Sequence, residues 1–157
     1  MRLCFGAMLA AGALLLAACG PAPAPEAKKE SKAVVKPPDE SRRFPSDDRV
    51  SLILVDDDLT GKAFMPGGNL AEYRTKSGAY QLFLANTGDA QKAAFLLLDW
   101  KDALQDAKYV AHMGGYFGLD NGKPLFVFQK GVFLAGVIGL PEKEADTVAR
   151  QFAVRLN

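Results

Sequence analysis

Apolar and polar positions along this chain change period several times, and the changes mark out its elements. Over residues 79–85, Tyr80, Leu82 and Leu84 alternate with Gln81 and Phe83, the two-residue period of a strand with one apolar face. Residues 70–74 read as its partner, joined to it by Lys76-Ser77-Gly78, a short hairpin loop with glycine. Upstream, residues 51–55 form an apolar run of strand type that ends in Asp56-Asp57-Asp58. A turn around Thr60-Gly61-Lys62 follows, then a break at Pro66-Gly67-Gly68-Asn69. Beyond the hairpin the period lengthens. Ala90, Ala94, Leu97, Leu98 and Leu104 recur at helical spacing behind Asn86-Thr87-Gly88-Asp89, whose residue types start helices, and predict a helix over 89–102.

The second half returns to strands. Residues 108–112 read as a short strand before Gly114-Gly115. Residues 116–119 and 124–129 flank Asp120-Asn121-Gly122-Lys123, a hairpin signal because Asn-Gly tolerates positive φ. Lys130-Gly131 turns the chain into a strand over 132–140. Pro141 suits a first helical turn, and residues 141–156 carry Ala145, Val148, Phe152 and Leu156 on one side of a closing amphipathic helix. Strands joined by hairpins, with helices segregated into two places, predict an α+β fold: an antiparallel sheet packed against two helices on one face.

Before this unit the pattern differs. Residues 19–43 run through Gly-Pro-Ala-Pro-Ala-Pro, a Lys/Glu stretch and Lys36-Pro37-Pro38-Asp39-Glu40. They lack core-forming groups apart from Val34 and Val35, so they read as a disordered tether, with a single domain over 44–157. At the other extreme, Cys4 to Leu16 is a 13-residue apolar run behind Arg2, short of the roughly 20 residues of a membrane-spanning helix. A basic end, a short apolar run and small residues are the marks of a secretory signal.

That segment ends in Leu16-Ala17-Ala18-Cys19, which resembles the lipobox of bacterial lipoproteins. The resemblance implies a signal peptide over 1–18, a diacylated Cys19 as first residue of the mature chain, and a protein held on the membrane of the bacterial envelope. In a Gram-negative cell, Gly20 in place of an aspartate after the cysteine implies the outer membrane, facing the periplasm. A second resemblance spans residues 68–156. A helix with Ala94-Phe95, the turn Met113-Gly114-Gly115-Tyr116, a hairpin leading into Gln129-Lys130-Gly131 and a closing strand and helix are similar to a family of uncharacterised bacterial α+β domains. It supplies no catalytic residue.

Composition narrows the chemistry. The chain holds 19 Lys plus Arg against 18 Asp plus Glu, and loss of Arg2 with the signal brings the mature chain to balance, so no nucleic-acid partner is implied. With Cys4 removed and Cys19 lipidated, the mature chain has no thiol left for a disulfide, for catalysis or for a cysteine-ligated metal. His112 is the sole histidine, beside Met113 and two glycines, and reads as structural or exposed; no serine sits in a Gly-x-Ser-x-Gly elbow. Asp56-Asp57-Asp58 lacks the alternating spacing of a calcium loop and reads as a solvated strand end. Gly67-Gly68 and Gly114-Gly115 read as turns, since neither continues as a phosphate-binding motif.

What remains is an aromatic cluster. Alternation puts Phe126 and Phe128 on one strand face and Leu125 and Val127 on the other, so the strand is either buried on both faces or offers one to a partner. Tyr109, Tyr116, Phe126 and Phe128 are accordingly the candidate ligand or partner surface. The expectation is a lipid-anchored binding or scaffolding module, with no cofactor, no metal and no enzyme activity, whose partners are the membrane through Cys19 and an envelope protein. The alternatives are a small-molecule or lipid carrier, or an envelope hydrolase built on carboxylates.

Overall fold

The structure, a computed structural model, describes residues 36–76 and 78–157. The expected signal, Cys19 and the tether up to residue 35 lie outside the described residues. Seven strands form one antiparallel sheet: β1 (Arg49–Asp57), β2 (Pro66–Thr75), β3 (Gly78–Asn86), β4 (Gln105–Val110), β5 (Gly115–Asp120), β6 (Lys123–Lys130) and β7 (Phe133–Ile138). Their order is β1-β2-β3-β7-β6-β5-β4. Helix α1 (Ala90–Ala103) carries the chain from β3 to the far edge, the β4–β7 meander returns to pair β7 with β3, and α2 (Glu142–Val154) closes the fold.

The α+β class, the antiparallel sheet and its two helices are as the sequence predicts, but the helices lie on opposite faces. Beneath α2, Ala145, Ala149 and Phe152 meet Leu82, Leu84, Phe126, Phe128 and Val137. Beneath α1, Leu97 and Trp100 meet Phe83, Leu125, Val127 and Leu134. The physical reason is the central strands themselves. β3, β6 and β7 are apolar on both sides, so a sheet covered on one face alone would leave Phe83, Val127 and Leu134 in water, whereas one helix per face buries both sets. In α1 the buried stripe is Ala93, Leu97 and Trp100, continued by the buried Leu104. Leu98, on the expected apolar side, is exposed.

Local chemistry sets the ends of these elements. Asp89 caps α1, its Oδ1 accepting from the Gln91 and Lys92 amides at 2.6 and 3.1 Å. Glu142 and Glu144 stand in the first turn of α2, where the helix dipole favours negative charge. Asn121 and Gly122 take φ of 49° and 79°, the conformation that a two-residue β5–β6 hairpin requires. The break expected at Pro66-Gly67-Gly68-Asn69 is instead the first part of β2. The glycines serve close approach: a Cβ on Gly67 would stand 2.2 Å from the Asp56 carbonyl oxygen, and one on Gly68 2.3 Å from that of Leu84.

The folded unit also begins earlier than residue 44. The Glu40 amide donates to Asn69 Oδ1 at 2.8 Å, Asn69 Nδ2 donates to Asp39 at 3.0 Å, and Asn86 Nδ2 donates to Glu40 Oε1 at 2.8 Å. Arg43 Nε donates to Glu40 Oε2 at 2.7 Å, its Nη1 donates to the Arg155 and Asn157 carbonyls, and its guanidinium lies 4.6 Å from the Phe133 ring centroid. Residues 39–43 are thus a clamp and not tether; their polarity, which suggests solvation, is satisfied by two asparagines of the sheet.

Glu40 gives this clamp a pH dependence. Burial pushes its carboxyl up, but the hydrogen bonds from Arg43 and Asn86, with the Arg43 charge, outweigh burial and hold it below its ordinary value of 4.5. Because the folded value lies below the unfolded one, the stabilisation is complete above the ordinary value and is lost as pH falls through the folded value. Glu40→Gln should therefore lose less stability than the unaltered chain between about pH 5 and pH 3. Urea midpoints measured across that range test this; parallel curves for the two proteins would refute it.

Candidate functional site

Of the four aromatic residues expected to form a surface, Phe126 and Phe128 are not on one. Both are fully buried under α2, their rings 6.0 Å apart, because β6 is buried on both faces and sits between β5 and β7. Tyr109 and Tyr116 are paired across β4 and β5 with ring centroids 5.4 Å apart. Tyr116 packs against the α1-side core, whereas Tyr109, at the sheet edge, is 58% exposed. Of the four, Tyr109 alone is surface, Tyr116 is partly buried, and Phe126 and Phe128 are core, a gradation that follows from strand order.

His112 lies in the turn between β4 and β5, its side chain 55% exposed. Its Nε2 is 2.6 Å from Asp146 Oδ1 on α2, and Asp146 Oδ2 also meets Arg150 at 2.9 Å. A turn of α2 away, Glu142 pairs with Lys108 of β4 at 2.6 Å. These two contacts tie the β4–β5 hairpin to α2 over a cavity of about 130 Å³ floored by Val110, Phe117 and Phe126. An aspartate that orients an imidazole is one half of the machinery of nucleophilic catalysis. The other half, a hydroxyl hydrogen-bonded to the imidazole, is not present among the described residues, and the pair as it stands fastens strand to helix. Sequence alone gives no sign of it, since 34 positions separate the partners.

A wider, open groove of about 510 Å³ lies where β3, over Gly78 to Tyr80, runs beyond its pairing with β7. Tyr73 and Tyr80 stack beside it at 5.0 Å, with Glu72, Gln81, Arg74 and Lys123 along its sides. The Tyr73 hydroxyl donates to the Pro45 carbonyl at 2.9 Å, and burial, with Tyr80 nearby, pushes its phenol up to about 12. Tyr80 is raised by burial too, so both phenols stay neutral at physiological pH. Asp56-Asp57-Asp58 lies at the end of β1 and the start of the following turn, largely exposed as expected. Among the described residues there is no grouping of three or more His, Cys, Asp or Glu that could hold a metal ion.

Fold and surface together define an α+β domain whose central strands are buried on both faces, with accessible features at the edge strands and in the groove beside Tyr73 and Tyr80. No protein-family model matches the chain, and neither the curated proteins nor the solved structures give a match. Among the described residues, no helix is long and apolar enough to cross a membrane.

Proposed function

We propose that this chain is a bacterial envelope lipoprotein, anchored by lipid on Cys19, whose domain is a binding or scaffolding module and not an enzyme. The observation that carries the reading is Leu16-Ala17-Ala18-Cys19 behind a 13-residue apolar run, the pattern that lipoprotein acylation and cleavage require. Two or more acyl chains make membrane attachment effectively stable. The described domain agrees with a surface role: core packing occupies both faces of the central strands, leaving the edge strands, the Tyr109 end and the groove beside Tyr73 and Tyr80 for contact. In a Gram-negative cell the module would stand at the periplasmic side of the outer membrane.

Metabolic labelling with a fatty acid tests the anchor. The unaltered chain should take up label and run as a cleaved product, while Cys19→Ser should lose the label entirely and accumulate as precursor. Label that persists in the variant would sink the reading.

A further inference from the structure

The two ends of the sheet are built differently. At β4, edge residues Asp106 and Lys108 are charged and the pairing with β5 shifts register between Gln105 and Lys108, devices that discourage another strand from joining. β1 has the opposite character. Its middle reads Val50-Ser51-Leu52-Ile53-Leu54-Val55, no described strand pairs with its outer side, and Val50 and Ile53 are 58% and 53% exposed. Its one register shift, between Arg49 and Ser51, lies at the end and leaves the run from Ser51 to Val55 in continuous pairing with β2. An edge of this length and apolarity is a template for one more strand.

The two ends of β1 carry opposite charge. At its start, Arg42, Arg49 and Arg155 gather with Leu52 around an open cavity of about 410 Å³. Asp47 and Asp48 stand at that end too, but the Arg74 amide donates to the Asp48 carbonyl at 2.9 Å, so a fourth arginine adjoins them. The other end is Asp56-Asp57-Asp58. Among the described residues, none of these three aspartates and none of the four arginines joins an ion pair. The faces match as well. Leu52 packs toward the α2-side core, and the two-residue period puts Asp56 on that same face, the one on which the arginines gather.

We propose that β1 pairs antiparallel with β1 of a second copy of this chain, joining two sheets edge to edge about a two-fold axis at Ile53. That axis is the midpoint of Arg49–Asp57, and it sets Ile53 against Ile53 of the second copy and Leu52 against its Leu54. The arginine end of each copy then meets Asp56 and Asp57 of the other, at two junctions. Asp48 and Asp58 have φ of 58° and 51° and turn the chain out of the strand at its two ends. A parallel copy would set arginines against arginines and aspartates against aspartates, so charge selects the antiparallel one. Because the contact is isologous and β4 resists pairing, assembly closes at two copies. The pairing goes beyond the lipoprotein reading and is tested apart from it: loss of label at Cys19 would leave the dimer as it is, and a monomer would leave the anchor as it is.

The experiment uses the full chain in detergent, with micelles in excess over protein, and sedimentation equilibrium. The unaltered chain should give a monomer–dimer equilibrium that weakens as salt rises, and dimer formation should slow hydrogen exchange in β1 and not in β4. Two charge-reversed variants, each first checked for cooperative urea unfolding, test the junctions. Asp56→Arg with Asp57→Arg makes both ends basic, and Arg42→Glu with Arg49→Glu makes both acidic, so each alone should associate at least about tenfold more weakly than the unaltered chain. Mixed in equal amounts, the two should recover association as a heterodimer. A chain monomeric at every concentration up to about 1 mM would overturn the proposal. So would dimers protected at β4 instead of β1, folded variants that dimerise alone as tightly as the unaltered chain, or a mixture that associates no better than its components. Protection of β1 in the monomer that disappears when Val34 and Val35 are replaced by Asp would also overturn it, by giving the edge to the chain's own upstream segment.

Discussion

Trp100→Ala should destabilise the domain by about 3–5 kcal/mol, the range for removing a large aromatic side chain from a core. Trp100 is fully buried at the centre of the α1-side core. Its ring stands edge-on to Phe64 at 5.3 Å and stacks near Phe83 at 6.1 Å, and its indole N–H points to Met65 Sδ at 3.1 Å. Lys62, paired with Asp120 at 2.6 Å, places its ammonium 5.5 Å from the same ring. The loop before β2, helix α1 and strand β3 therefore share one side chain, and its loss opens a cavity that none of them can fill alone. With about 5–15 kcal/mol separating folded from unfolded in an ordinary domain, about a fifth or more of the margin would go. A urea midpoint within the range of an exposed-site control such as Leu98→Ala would show that this core does not carry the fold.

Gly136→Ala should destabilise by the opposite route. A Cβ on Gly136 in β7 would stand 2.3 Å from Phe83 Cε1 and 2.9 Å from the Phe126 carbonyl oxygen. Neither neighbour is free to move: the carbonyl belongs to the paired strand β6, and the Phe83 ring is fully buried against Trp100. Overpacking of this kind costs about 1–3 kcal/mol, and a backbone neighbour places the expected loss toward the upper end. Combining it with Phe83→Leu, which vacates the crowded space, should restore part of the loss, so the two changes together should be less damaging than their sum. Strict additivity in thermal or urea unfolding would contradict the geometry.

Legibility in the sequence followed the range of the physics involved. The β2–β3 and β5–β6 hairpins are local, and Asp120-Asn121-Gly122-Lys123 states its own turn, so period and turn chemistry were enough to place both. Asp89 likewise marks the start of α1 without tertiary help. Gly67-Gly68 misled because glycine signals both a break and close strand contact, and only the approach of the Asp56 and Leu84 carbonyls decides between them. The same-face placement of the helices failed although its correction was in view. Leu125 to Phe128 is apolar at four consecutive positions, which demands a cover on each side, as Phe83 between Leu82 and Leu84 also does. That double burial turns Phe126 and Phe128 from candidate surface into core.

Polar contacts were the least readable part. Glu40 with Asn69 and Asn86, and His112 with Asp146, join residues 29 to 46 positions apart, and a charged residue in a Pro-rich stretch looks the same whether it is solvated or clamped. The candidate site divides along the same line. Nothing in the pattern separates the exposed Tyr109 from the buried Phe126 and Phe128, and the β1 edge, unpaired among the described residues, appears only when strand order puts residues 49–57 at the end of the sheet.

Hydrogen exchange on the intact chain, at monomer dilution and read by strand, tests most directly the claim that the central strands of the sheet are buried on both faces. Amides of β3, β6 and β7 should exchange only through global unfolding, while β4 and the outer side of β1 should open by local fluctuation and exchange far faster. Exchange in the segment around Phe126 and Phe128 as fast as in β4 would contradict the account, because it would return that strand to the surface.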